Sequence, residues 1–175
     1  MNINTEDIKV LISKEDVSNR IKELAEQINK DYEGKSITIL CILKGSVFFT
    51  TELAKHLAPN TKLEFIEVSS YGSGTMPGEI KMLKDTRDSI ARKDVLIVED
   101  IIDSGRTLNY LVDMLKNRKP NSLKLCTLLN KPERRKVDMK VDYVGFEIPN
   151  KFVVGYGMDI DEDFRNLDYI GYIEE

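Results

Sequence analysis

The segment ITILCIL, residues 37–43, is apolar at all but one position, so any strand it forms must be covered on both faces. That is the pattern of an internal strand in a parallel sheet, and it requires helices above and below. The flanking sequence supplies them. Ser13 is placed to cap a helix in which Val17, Ile21, Leu24 and Ile28 fall at i, i+4, i+7 and i+11, with Gly34 ending it. Residues 46–58 read as a second helix, with Phe49, Leu53 and Leu57 on one side and Pro59 just beyond. Residues 63–68 read as a second strand, 95–98 as a third, 108–117 as a helix and 123–129 as a fourth strand. This alternation predicts an α/β fold, a central parallel sheet flanked by helices. After about residue 137 it breaks into short β-like pieces, VDYVGFEI, KFVVGYG and YIGYI. They suggest a small antiparallel, β-rich C-terminal hood. The expected organisation is a single domain over 1–175, with a core at about 35–137 and the hood at about 138–175, with or without N-terminal residues.

The charge narrows the partners. With 26 Lys and Arg against 30 Asp and Glu, the net charge is −4, and no basic tract stands out. That disfavours nucleic acid as the main partner. No apolar stretch approaches the roughly 18 residues needed to cross a bilayer. The opening MNINTEDIKVLISKED carries acids where a secretory leader has a basic start and an apolar run. The expected location is the cytoplasm, with no membrane partner. Cys41 and Cys126 lie in apolar runs without a CxxC neighbour and read as buried thiols. The lone histidine, His56, reads as a helix-surface residue in ELAKHLAP. This inventory argues against a zinc site and against a Cys–His or Ser–His nucleophile pair.

Chemistry concentrates in VLIVEDIIDSGRT, residues 95–107. An apolar run leads into Glu99 and Asp100, then Asp103, then Ser-Gly-Arg-Thr. Buried charge is costly unless paired or bound to a metal, so this cluster belongs at an edge of the fold and in contact with a ligand. In open α/β sheets, ligands bind beyond the carboxyl ends of the strands. Backbone N–H groups of residues 103–107, with the Ser104 and Thr107 hydroxyls, can hold a phosphate at the positive end of a helix. Glu99 and Asp100 would repel that phosphate. They suit ribose hydroxyls, or water on a magnesium ion. Together these groups describe a ribose 5-phosphate site; an exposed, capped turn is the plain alternative. A second lead fails: Gly34-Lys35-Ser36 imitates the tail of a P-loop, but Asn29 stands where the first glycine is needed, and the segment precedes a strand. SSYGSGTMPGE, residues 69–79, carries three glycines and a proline; its composition alone fits a plain connector as well as a mobile loop.

Residues 95–107 resemble the signature of type I phosphoribosyltransferases, which bind phosphoribosyl pyrophosphate. LLNKPERRKVDMKVDYVGFEIPNKFVVGYGMDIDEDFRNL is similar to the C-terminal part of their hypoxanthine-guanine branch. ILKGS resembles that branch's pyrophosphate loop, and SSYGSGT the start of its flexible catalytic loop. The resemblance covers nearly the whole chain from about residue 37. It implies a purine salvage transferase that moves the phosphoribosyl group to N9 of hypoxanthine or guanine, with magnesium as cofactor and a homodimer or homotetramer as the assembly. It implies that Glu99 and Asp100 hold the ribose hydroxyls, directly or through magnesium-bound water. Asp103 would serve N7 of the purine as general acid/base. Ser104, Gly105 and Thr107 would hold the 5′-phosphate, with Arg106 in the same loop but its side chain without a role.

The resemblance extends to the rest of the site. Leu43, Lys44 and Gly45 would form the pyrophosphate loop, with a cis peptide between the first two, and Arg165 would assist there. Ile101, Lys131, Phe152, Val153 and Asp159 would line the purine: Lys131 donating to O6, Phe152 stacking, the Val153 backbone reading the edge. Asp159 would also bind a second magnesium. Ser70 and Tyr71 would belong to a lid that keeps water from an oxocarbenium-like transition state. Taken singly, Lys131 reads as a solvated lysine, Phe152 as a core strand residue and Arg165 as a surface ion-pair partner. Two other readings remain open: a regulatory protein of the same fold that senses phosphoribosyl pyrophosphate and grips nucleic acid, and the same enzyme acting on xanthine.

Overall fold

The computed structural model describes residues 4–70 and 80–174. The chain passes through β1 (Lys9–Ile12), α1 (Lys14–Asp31), β2 (Ile37–Leu43), α2 (Val47–Lys55), β3 (Lys62–Ser70) and β4 (Ile80–Lys84). It continues through β5 (Asp94–Ile102), α3 (Arg106–Lys116), β6 (Ser122–Asn130), β7 (Tyr143–Glu147), β8 (Val153–Val154) and β9 (Ile170–Tyr172).

Alternation along the two central strands explains the layering. In β2, Ile37 and Ile39 join the core under α1 and α2, whereas Leu40 and Ile42 join the core under α3. In β5, Leu96 and Val98 face the first group, and Val95 and Ile97 the second. Period-2 side chains thus fill two cores, one on each side of the sheet. Ser13 caps α1 as its position predicts, its hydroxyl accepting from the Asp16 N–H at 3.1 Å. Val17, Ile21, Leu24 and Ile28 are all buried. Cys41 and Cys126 are buried free thiols, and His56 sits at the C-terminal end of α2 beside Glu52. No helix among the described residues is long and apolar enough to cross a membrane.

The main sheet runs β4-β3-β2-β5-β6-β7. β2 pairs in parallel with β3 on one side and β5 on the other, so the strand order reverses between β2 and β5. The crevice at such a switch point, outside the carboxyl ends, is where open α/β sheets bind ligands.

Four details depart from the sequence reading. β5 continues to Ile102, so Glu99 and Asp100 lie within the strand rather than past it. Its pairing with β2 ends at Val98, while pairing with β6 carries on to Ile102. The acids therefore keep their extended backbone but stand where one flank of the strand is open. α3 begins at Arg106, which makes Arg106 and Thr107 its first turn. β4 pairs antiparallel with β3; IKMLK, short and half exposed at an edge, gave no strand pattern. Finally, β7 belongs to the main sheet, parallel to β6, and not to the hood. Arg20 of α1 holds it there, donating to the Val144 and Gly145 carbonyls at 2.8 and 2.9 Å and occupying the sheet's last edge. The hood itself is a three-stranded sheet in the order β1-β9-β8, and N-terminal residues do contribute to it.

Candidate functional site

The loop after β2 and the loop after β5 flank the switch-point crevice. The Leu43–Lys44 peptide is cis, in agreement with the sequence expectation. Gly45 follows, pressed against β5. A Cβ on Gly45 would lie 1.8 Å from Asp100 Oδ2, so only glycine lets the loop approach the carboxylate this closely. The stack extends outward. A Cβ on Gly157, at φ +103°, would lie 1.8 Å from the Gly45 carbonyl oxygen. Arg165 closes it, its Nη1 donating to the Gly157 carbonyl at 2.7 Å.

The two acids in β5 are half-buried and bonded to their own backbone. Asp100 N–H donates to Glu99 Oε1 at 3.1 Å, and Ile101 N–H to Asp100 Oδ1 at 2.7 Å. Burial, then the neighbouring Asp100 charge, pushes the Glu99 carboxyl well above its ordinary range, and burial also raises Asp100. Neither forms an ion pair with a basic side chain among the described residues. Such a pair calls for a cation. Among the described residues no three acids, histidines or cysteines converge as a complete metal cage. Two carboxylates with the remaining ligands from substrate and water match the way magnesium is usually held.

The residues after β5 form the loop in which the sequence reading expects a phosphate cradle. Gly105, in the left-handed region at φ +77°, turns the chain into α3. Ser104 Oγ accepts from the Arg106 N–H at 3.4 Å. A cavity of about 180 Å³ opens there, floored by Ile42 and Leu111 and rimmed by Glu99 and residues 101–108. The Arg106 side chain is exposed. Behind the loop, Lys136 N–H donates to the Ser104 carbonyl at 3.0 Å.

Asp103 stands at the mouth of the cradle, 43% exposed, with Arg134 Nε 2.9 Å from its Oδ1. Lys131 is only 7% exposed, and burial lowers its ammonium from its ordinary value. It is no solvated lysine, and its backbone N–H donates to the Ile102 carbonyl at 3.0 Å. Phe152 departs in the other direction: at 52% exposed it is not a core residue but a bare ring, beside Tyr172 and Ile173 in an open hollow of about 330 Å³. Val153 is buried in β8, paired with Tyr172.

Asp159 and Arg165 are bound to one another, Nη1 to Oδ1 at 2.9 Å, while Asp159 Oδ2 accepts the Glu162 N–H at 2.8 Å. Glu162 in turn meets Lys44 and Arg165, and the Lys44 hydrogen bond lowers its carboxyl below the usual range. Ser70 ends β3, and the remaining lid residues, Tyr71 onward to 79, lie outside the described residues.

Residues 13–161 match the phosphoribosyl transferase domain family. The chain belongs to the phosphoribosyltransferase family. A hypoxanthine-guanine phosphoribosyltransferase of Streptococcus thermophilus is 51% identical over 168 residues, covering 95% of this chain and 93% of the relative. Among solved structures, a hypoxanthine phosphoribosyltransferase from Staphylococcus aureus superposes with a TM-score of 0.93 at 47% identity, covering 97% of this chain and 93% of that one. A hypoxanthine-guanine phosphoribosyltransferase from Bacillus anthracis superposes with a TM-score of 0.89 at 48% identity, covering 95% and 99%.

Within this phosphoribosyltransferase, the fold brings Leu43–Gly45, Glu99, Asp100 and the 103–107 loop to one crevice. Lys131 follows β6 and is tied to the end of β5, whereas Phe152 and Val153 belong to the hood. Sequence reasoning missed Arg134, Gly157 and Glu162. Arg134 lies three residues past Lys131 in KPERR, a basic cluster with no pattern of its own. Gly157 and Glu162 sit in an irregular segment where neither periodicity nor composition indicates which residues meet.

Proposed function

We propose that this chain transfers the 5-phosphoribosyl group from phosphoribosyl pyrophosphate to N9 of hypoxanthine or guanine, releasing IMP or GMP and pyrophosphate. The observation that supports the reading is the adjacency, at one switch point, of the 103–107 loop at the start of α3, two half-buried acids without a basic partner among the described residues, and a buried lysine at the end of the neighbouring strand β6. A ribose phosphate spans the first two, and a base carrying an exocyclic oxygen suits the third.

The roles follow the geometry. Backbone N–H groups of residues 104–107, at the start of α3, receive the 5′-phosphate. Glu99 and Asp100 hold the ribose hydroxyls. Magnesium fits these two carboxylates, and when bound it supplies charge neutralisation for the departing pyrophosphate. Asp159 would be the further carboxylate ligand to magnesium. Lys44, the Gly45 backbone and Arg165 bind pyrophosphate. Lys131 donates to O6, Phe152 stacks on the ring, and the Val153 backbone reads the edge, with Ile101 beside it. As the N9–C1′ bond forms and the C1′–pyrophosphate bond breaks, Asp103 takes the proton from N7. Ser70 and Tyr71 lead into a lid that excludes water from the cationic sugar.

Purified protein assayed with hypoxanthine, guanine, xanthine, adenine and uracil, with phosphoribosyl pyrophosphate and magnesium, tests the reading. Turnover is expected with the first two. Activity on uracil or adenine alone would sink it, and xanthine as the best substrate would reassign the base. Turnover that persists unchanged in excess chelator would remove magnesium from the account.

A further inference from the structure

A single carboxylate oxygen bridges two cations in this site. Glu162 Oε2 lies 3.1 Å from Lys44 Nζ and 3.3 Å from Arg165 Nη2. Those are the two basic side chains assigned above to pyrophosphate. They come from segments far apart in sequence, one after β2 and one before β9, and among the described residues they meet on this acid. Glu162 is held at the meeting point by its backbone. Its φ is +74°, a conformation that a glutamate rarely takes, and its N–H is tied to Asp159 Oδ2 at 2.8 Å. Arg165 is fixed from the other side by Asp159 and the Gly157 carbonyl, and its Nε has no partner among the described residues.

We infer that Glu162 is an internal stand-in for pyrophosphate: given the pyrophosphate subsite proposed above, its carboxylate fills that subsite in the free protein and competes with the incoming and departing diphosphate. A bound diphosphate needs the same donors, so it must displace the carboxylate and then sit beside it. A ligand shifts such an equilibrium only by its differential affinity, so part of its binding is offset in breaking the resident contacts. In return, Lys44 and Arg165 are never left unpaired when the product leaves. Glu162 therefore weakens the hold on pyrophosphate and keeps the two cations organised between turnovers. Glu162 and Lys44 are largely exposed and only Arg165 is half-buried, so each pair contributes a small factor, and removing the carboxylate should tighten diphosphate binding by about 2- to 10-fold.

The test is calorimetric titration of the full chain with magnesium pyrophosphate, beside steady-state kinetics. Glu162→Gln keeps the size and the backbone tie and removes the charge. Glu162→Gly suits the φ of +74° and removes the side chain altogether. Both should bind pyrophosphate about 2- to 10-fold more tightly, with KM for phosphoribosyl pyrophosphate lowered in proportion and KM for hypoxanthine unchanged. Lys44→Ala should bind pyrophosphate more weakly. If both Glu162 variants bind it no more tightly than wild type while Lys44→Ala still weakens it, the stand-in role is overturned. If Lys44→Ala leaves pyrophosphate affinity unaltered, the subsite reading beneath it fails instead.

Discussion

Arg134 holds Asp103 in an ion pair, Nε to Oδ1 at 2.9 Å, at the mouth of the phosphate cradle. The carboxylate proposed to meet the purine N7 thus waits in a defined position, about half exposed. Asp103→Asn keeps the size and removes the basicity. Loss of general acid/base catalysis is expected to slow turnover by about 10²–10⁴-fold. Binding of phosphoribosyl pyrophosphate should change little, because Glu99, Asp100 and the cradle remain. Wild-type turnover in this variant, with chemistry shown to be the slow step, would remove the proton transfer from Asp103.

Lys131 is the second test of the base site. It is buried, and its charge is justified there only by a partner of the right kind. Lys131→Met fills the space without the donor. A hydrogen bond from a charged group is worth about 1.5–3 kcal/mol, so KM for hypoxanthine should rise roughly 10- to 150-fold. Discrimination against adenine, which has an amino group in place of O6, should shrink in the same variant. Unchanged KM values for both bases would show that Lys131 faces something else.

Glu99 makes stability depend on pH in an unusual direction. Its carboxyl is raised by burial and by Asp100, so the folded protein binds this proton more tightly than the unfolded chain does. Stability contributed by the protonated form is therefore lost as pH climbs from the ordinary glutamate value of 4.5 through the raised value in the fold. Glu99→Gln has no proton to lose. It should match wild type near pH 4.5 and exceed it by a growing margin in melting temperature toward pH 8. Parallel melting curves for the two proteins across that range would contradict the burial of this charge.

Gly157 is constrained twice, by φ +103° and by the Gly45 carbonyl 1.8 Å from where a Cβ would stand. Gly157→Ala forces both the backbone and the loop beneath it to move. Strain of this kind costs about 1–3 kcal/mol. In a chain of this size that corresponds to a melting point lower by roughly 3–10 °C. KM for phosphoribosyl pyrophosphate should rise as well, since the displaced carbonyl belongs to the pyrophosphate loop. A variant that melts and binds like wild type would show that the two loops are not in register as described.

The central layers were legible because their signal is local. β2 and β5 carry unbroken apolar runs, and α1 carries its buried stripe and its Ser13 cap in consecutive turns. The Glu99–Asp100 pair and the 103–107 loop share one motif, and sequence adjacency was enough to place them together. What escaped depends on tertiary approach. Glu99 and Asp100 lie inside β5 because pairing with β6 outlasts pairing with β2, which no single segment reveals. β7 was mistaken for hood because Tyr143–Glu147 is too short to declare its partner; Arg20, on a helix far earlier in the chain, fixes it. Phe152, taken singly, reads as core because FVV is apolar; only the resemblance set it apart, and its ring is bare. Glu162 looked like one acid among several in DIDEDF, and only its convergence with Lys44 and Arg165 sets it apart.

The hood is closed by residues from the two ends of the folded chain: Lys9 and Val10 of β1 pair with Tyr172 and Gly171 of β9, which in turn carries β8. During synthesis, β1 leaves the ribosome well before β9 and must wait for its partner until the six-stranded sheet between them has emerged. The six-stranded sheet and its phosphate cradle draw on residues made in between, so they can assemble earlier. The wall that carries Phe152 and Val153 cannot. A nascent chain therefore acquires the sheet that carries the 103–107 loop before the hood that carries Phe152 and Val153, and a truncation that removes β9 would leave β1 and β8 both without a partner.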